Sequence, residues 1–234
     1  MNIIMTRPLI EIENFMSNLL SRGHNIVHLP TLKIKPISTA SFDLENFDAV
    51  IFTSANAIRS LRDIKNVKKI KCFCVGSITE RIARSSGFIN TISASGSVIA
   101  LKNIILNSKE LNDGARLAYV CGDNITQDIE KDLTMEGFKV TQIVNYSSEK
   151  IEEVSDQTLK LIKKYPVNVI FVYSLRSAEA LLTIIKNYSL APIMTQSKVM
   201  CISKNIADFF EKNGWKNVAT FRPGEEMLNL EIVK

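Results

Sequence analysis

FDLENFDAVIFTSANAIRSL, residues Phe42–Leu61, packs a strand, a turn and a helix start into one short unit. Ala49–Phe52 is an unbroken apolar run of strand length, which suits a strand buried on both faces. Thr53–Asn56 is a tight polar turn, and the first turns of a helix follow. The same design returns downstream as VNVIFVYSLRSAEALL, Val167–Leu182. Matching the two copies sorts the rest of the chain into two parallel series.

The first series opens with a strand over residues 2–5, and Thr6-Arg7-Pro8 turns it into a helix. Ile12, Phe15, Met16, Leu19 and Leu20 share one face of that helix, and Gly23 ends it. Strand Asn25–Leu29 follows, then the extended segment Pro30–Pro36, where prolines at both ends argue against a central strand. After the Phe42–Leu61 unit come strand Lys71–Val75, turn Gly76–Thr79, a helix to Gly87, strand Thr91–Ser93 and a helix after Gly96. The second series runs from strand Arg116–Val120 through turn Cys121–Asn124, a helix ending at Gly137, and strand Lys139–Val144. A polar extended segment, Asn145–Lys150, leads to a helix over Leu159–Lys163. Then come the second copy of the unit, strand Val199–Ile202, turn Ser203–Asn205, a helix ending near Gly214, strand Asn217–Phe221 and a final helix after Pro223-Gly224.

Register marks tie the series together: Arg22-Gly23-His24 with Glu136-Gly137-Phe138, Ser54 with Ser174, Cys74-Val75-Gly76 with Cys201-Ile202-Ser203, and Gly87-Phe88 with Gly214-Trp215. Alternating strands and helices predict parallel sheets with helices on both faces. The expected fold is α/β: two similar doubly wound parallel-sheet lobes from an internal duplication, joined by a two-stranded linker.

Composition narrows the function. Apolar content of 46% with 23% charged residues belongs to a globular chain, and no apolar run is long enough to span a bilayer. The opening MNIIMTRP places its apolar residues before its first basic one, unlike a secretory signal, so a cytoplasmic location is expected. Cys72, Cys74, Cys121 and Cys201 form no CxxC pair, and with only His24 and His28 beside them no zinc spacing arises. A net charge of +5 favours an anionic partner, but without a basic run or an aromatic RNA-binding motif nucleic acid is not indicated.

In doubly wound sheets ligands lie at the carboxyl ends of strands. Thr53–Asn56, Gly76–Thr79, Cys121–Asn124, Ser174–Ser177 and Ser203–Asn205 all fall there and all start helices, whose free N–H groups suit carboxylates or phosphates. Ser, Thr and Asn are equally the preferred helix caps. Their recurrence at equivalent places in both series points to a cleft between facing lobes.

Thr6-Arg7-Pro8, Phe52-Thr53-Ser54-Ala55-Asn56-Ala57, Val75-Gly76-Ser77-Ile78-Thr79 and Val144-Asn145-Tyr146 stand in the order seen in uroporphyrinogen-III synthases, and over essentially its whole length the chain resembles that family. The resemblance implies that the linear tetrapyrrole hydroxymethylbilane loses its hydroxyl, ring D is inverted through a spiro intermediate, and the macrocycle closes, with no cofactor. It also implies a swapped arrangement: residues 1–34 with 151–234 in one lobe, 35–150 in the other, and Pro30–Pro36 and Asn145–Lys150 as paired linkers. The enzyme is expected to be a monomer without nucleic-acid or membrane partners.

Carried over by position, Tyr146 matches the tyrosine that helps the hydroxyl leave, and a phenol can donate to a leaving oxygen without ionising. Thr53, Ser54, Asn56, Gly76 and Thr79, with Ser174, Arg176 and Asn205, match cleft-lining positions; Lys198 matches a basic residue directed at the substrate, and Arg7 a family arginine. Two departures stand out. Ser203-Lys204-Asn205-Ile206 replaces the glycine and paired threonines usual in the family, and Thr126 stands near a common arginine. The rival readings are a two-lobed racemase, which needs one reactive cysteine per lobe, and a non-catalytic anion-binding protein. Cys121 alone among the cysteines falls at a strand end.

Overall fold

The computed structural model describes residues 1–37, 43–62, 65, 67–222, 224–227 and 230. Phe42 and most of the terminal helix expected after Pro223-Gly224 lie outside them. The chain begins β1 (Asn2–Met5), α1 (Leu9–Ser21), β2 (Asn25–His28), β3 (Leu32–Pro36) and β4 (Ala49–Phe52). It continues with α2 (Ala55–Arg59), β5 (Lys71–Val75), α3 (Ser77–Ser85), β6 (Asn90–Ala94) and α4 (Val98–Leu106). Next come β7 (Arg116–Gly122), α5 (Ile129–Met135), β8 (Lys139–Lys150), α6 (Asp156–Lys164) and β9 (Val169–Val172). The last elements are α7 (Leu175–Asn187), α8 (Ala191–Met194), β10 (Lys198–Cys201), α9 (Lys204–Lys212) and β11 (Val218–Thr220). Among the described helices none is long and apolar enough to cross a membrane.

These elements form two compact units. The terminal unit is Met1–Lys33 with Glu149–Lys234, and the middle unit is Ile34–Ser148. The chain crosses from one to the other within β3 and again within β8. The expected strand Lys139–Val144 and the polar segment after it are in fact one 12-residue strand.

The terminal unit holds a sheet in the order β11-β10-β9-β1-β2, and the middle unit one in the order β3-β8-β7-β4-β5-β6. Read from β6, the second sheet runs β6-β5-β4-β7-β8, the same succession as β11-β10-β9-β1-β2 in the first. Pairings within β11-β10-β9-β1-β2 and within β6-β5-β4-β7-β8 are parallel.

Burial explains why the strands are apolar at every position. Along a strand successive side chains point to opposite faces. In the terminal unit Ile4, Ile170, Val172 and Val199 pack on one side with α7 and α9, through Leu181, Ile184, Ile206 and Phe210. Ile3, Met5, Val169 and Phe171 pack on the other with Ile12 and Leu19 of α1. The middle unit repeats the scheme: Val50, Phe52, Cys72 and Val120 face Ala57, Ile58 and Ala83, while Ile51, Phe73 and Leu117 face Leu101, Ile105 and Leu133. Each fully buried Ile, Leu or Phe contributes about 1.5–3 kcal/mol relative to exposure, so the helix-covered sheets are the source of stability.

Helix starts follow the residues that favour them. Ser54, Ser97, Asp128, Ser155 and Ser174 each accept a hydrogen bond from a backbone N–H in the first turn of the helix they precede. Gly76, which precedes α3, sits at φ +81°, a conformation that glycine adopts without strain.

Candidate functional site

In each sheet the strand order reverses at one point, and crevices for ligands open there, outside the carboxyl ends. In the middle unit the reversal lies between β4 and β7. The register sets Phe52 level with Cys74 and with Val120, so Thr53, Val75 and Cys121 come out side by side. In the terminal unit the reversal lies between β1 and β9, and Met5 is level with Phe171, which sets Thr6-Arg7 beside Val172-Tyr173.

At the middle unit's reversal, Ser54 is extended and its Oγ accepts from the Asn56 N–H at 3.1 Å. The Asn56 Oδ1 accepts from Arg59 Nη1 at 3.2 Å. Thr53 Oγ1 shares a hydrogen bond with the Tyr119 hydroxyl at 3.3 Å. Burial pushes the Tyr119 phenol up to about 12, partly offset by that bond. Gly76 opens α3 beside these residues, but Thr79 is only 6% exposed and faces inward with Ala83, one turn on. Tyr146 is half-buried, packed against the cluster that contains Phe52 and Ala57, and its ring lies over Gly122.

At the terminal unit's reversal, the Arg7 guanidinium stands over the Tyr173 ring at 4.6 Å, and its Nε pairs with Glu11 Oε2 at 2.7 Å. The Tyr173 ring packs on Phe171 and edge-on to Phe221, and its buried hydroxyl has no hydrogen-bond partner among the described residues. Burial first, then the charge of Glu226, raises its pKa above the ordinary phenol value. Ser174 Oγ accepts from the Ser177 N–H at 3.1 Å, and Arg176 is half-buried in the first turn of α7. Beneath them Thr6, Thr31 and Ser177 form a buried hydroxyl cluster: Thr31 Oγ1 lies 2.5 Å from Ser177 Oγ, which donates to Thr6 Oγ1 at 3.2 Å.

The structure thus gathers Thr53, Ser54, Asn56, Gly76 and Tyr146 in one unit, and Arg7, Ser174 and Arg176 in the other, at carboxyl ends. Asn205 is exposed in the first turn of α9, also at a carboxyl end. Lys198 is not with them. It is the first residue of β10, level with Val169, and its N–H donates to the Asn168 carbonyl, so it stands at the amino end of the sheet. Ile206 is 3% exposed, buried beside Phe210, just as Thr79 is turned inward in α3. A cavity of about 510 Å³ in the middle unit, lined by Asp48, Lys69, Lys71, Asn90 and Glu110, also opens at amino ends and contains none of the expected site residues. Sequence reading includes Gly122 only within the Cys121–Asn124 turn and Asn145 only within Val144-Asn145-Tyr146, and gives neither of them, nor Tyr119 or Tyr173, a role of its own.

All four cysteines are buried. Cys121, 1% exposed, accepts a hydrogen bond from Gln142 Nε2 at 3.2 Å, and burial raises its pKa. A racemase thiol needs the opposite shift. Among the described residues no three His, Cys, Asp or Glu side chains come together to hold a metal ion.

Parallel sheets covered on both faces, with capped turns and a tyrosine at the strand-order reversals, define an α/β protein of the doubly wound class. The family model described as uroporphyrinogen-III synthase HemD matches residues 13–228, and the chain belongs to that family. Uroporphyrinogen-III synthetase from Helicobacter pylori shares the fold, with TM-score 0.66 at 18% identity, over 99% of this chain and 98% of that one. A mutant uroporphyrinogen III synthase from Thermus thermophilus gives TM-score 0.56 at 14% identity, over 99% and 97%. No curated protein sequence matches. Nothing in the family match or in the site favours the racemase or the non-catalytic alternative.

Proposed function

We propose that this chain cyclises hydroxymethylbilane to uroporphyrinogen III, acting as a lyase that removes water and inverts ring D. The observation that carries the reading is the family match over residues 13–228. The chemistry asks little of the protein. Loss of hydroxide from a pyrrolic carbinol is driven by the pyrrole nitrogen, so the protein has to fold the bilane, hold its carboxylates and protect the reactive cation from the wrong closure.

Tyr146 donates its O–H to the departing oxygen in this reading, a task that an un-ionised phenol performs at neutral pH. Arg7 and Arg176 supply positive charge for carboxylates, with the turns at Ser54, Gly76 and Ser174 and the side chain of Asn205 adding donors. Lys198, at the amino end of β10, is left out. The matching strand orders of the two units support their origin from one duplicated segment, and we assign residues 1–34 with 151–234 and residues 35–150 as the two domains, bounds that lie within two residues of those of the compact units. A cytoplasmic monomer completes the reading.

The test is a coupled assay that supplies hydroxymethylbilane and separates the product isomers. Isomer III is the expected product; isomer I alone, the result of unassisted closure, would reject the activity.

A further inference from the structure

The pairing of β7 with β8 shifts register between Cys121 and Gly122. Cys121 pairs with Val144, but Gly122 pairs with Tyr146, so Asn145 has no partner on β7. Such a bulge re-aims the side chains that follow it. Asn145 is turned into the core, 1% exposed, where its Nδ2 donates to the Ala57 carbonyl at 2.7 Å. Tyr146 is fixed next to it, its carbonyl accepting from the Asp123 N–H at 2.9 Å.

The Tyr146 ring then lies directly on bare backbone. A Cβ built on Gly122 would stand 2.5 Å from Cζ, 2.6 Å from Cε2 and 2.9 Å from the hydroxyl oxygen of Tyr146. Gly122 is not among the glycines with positive φ, so its backbone conformation does not require glycine. What requires it is the ring. Ordinary carbon–carbon contact is about 3.5–4.0 Å, so any side chain at this position drives the phenol away by about 1 Å or more. The atoms in the way are the far end of a side chain, which swings aside with little cost to the fold.

We propose that Gly122 is a positioning residue for Tyr146: the absent side chain at 122 is what allows the phenol to rest at the carboxyl end of β7, with its hydroxyl set for the leaving group. The proposal rests on the reading that Tyr146 assists departure of the hydroxyl. A displacement of about 1 Å at a reacting group costs up to about 100-fold in rate.

The experiment compares Gly122→Ala, Tyr146→Phe and the double variant for kcat, KM and thermal midpoint. Gly122→Ala is expected to lower kcat by about tenfold to 100-fold, with KM and midpoint near those of the parent. In the Tyr146→Phe background the same substitution should cost nothing further, since the hydroxyl it displaces is already gone. A slow Tyr146→Phe enzyme beside a full-rate Gly122→Ala enzyme overturns the proposal alone. Independent, multiplying losses in the double variant overturn it as well. A Tyr146→Phe enzyme at full rate removes the underlying reading and the proposal with it.

Discussion

The Arg7 guanidinium lies 4.6 Å from the centre of the Tyr173 ring and is anchored by Glu11, whose Oε2 is 2.7 Å from Nε. Two residues after β1, a planar cation is therefore stacked and held at the strand-order reversal of the terminal unit. Lysine keeps the charge but neither stacks as a plane nor presents a fork of donors. Arg7→Lys should raise KM for hydroxymethylbilane by about fivefold to tenfold while kcat changes less, the pattern of lost uniform binding. Steady-state kinetics decides it; an unchanged KM takes Arg7 out of substrate contact.

The hydroxyls of Thr6, Thr31 and Ser177 bond to one another with no water-exposed member. Removing one leaves buried oxygens short of a partner, which costs about 1–3 kcal/mol. Ser177→Ala should lower the unfolding free energy measured by urea titration by that amount, while the residue 177 N–H still donates to Ser174 Oγ. A variant as stable as the parent would show that the cluster contributes nothing net.

Glu80 is held at about 2, below its ordinary 4.5, by hydrogen bonds from Ser93, Arg84 and Thr91, in that order of effect. A carboxyl depressed in the folded state stabilises the fold above its unfolded pKa and loses that contribution as pH falls through the folded one. The window is therefore from 4.5 down to about 2. Glu80→Gln should be less stable than the parent at neutral pH and lose less on acidification. Denaturation curves at neutral pH and at about pH 3 test this, and equal acid sensitivity in both proteins would refute it.

Ile206 occupies the inward position of α9 that Thr79 occupies in α3. Restoring a threonine at 206 removes apolar volume from a core containing Phe210 and buries a hydroxyl, at a cost of about 1–3 kcal/mol. Ile206→Thr should melt lower than the parent without gaining activity. A faster enzyme would mean that the 206 side chain reaches the substrate.

The strands were the legible part because burial on both faces leaves an unbroken apolar run: Ala49–Phe52 and Val169–Val172 are buried at every position. Helix starts were legible through their caps. What escaped is what depends on register and depth. The bulge at Gly122 inserts one residue into a pairing that no run of residue types announces, and the contact with Tyr146 spans the ladder between two strands. Lys198 could be aligned with a basic residue, yet it is strand length and pairing with Val169 that put it at the amino end. For Thr79 the signal was present: it lies four residues before Ala83, on the buried stripe of the helix, so the same count that marks a core face marks Thr79 as part of it.

The terminal unit is assembled from the two ends of the chain, with β1 paired to β2 on one side and to β9 on the other, Ile3 against Val169 and Met5 against Phe171. During synthesis from the amino end, β1 and β2 emerge first and wait through the whole of Ile34–Ser148 before their partner β9 is made. The middle unit is one continuous segment with every strand of its parallel ladder β6-β5-β4-β7-β8 close at hand. Because β3 and β8 are neighbours in its sheet, folding of the middle unit also draws together the two places where the chain crosses between units. The terminal sheet, unlike the middle one, therefore cannot be completed until nearly the whole chain has been made.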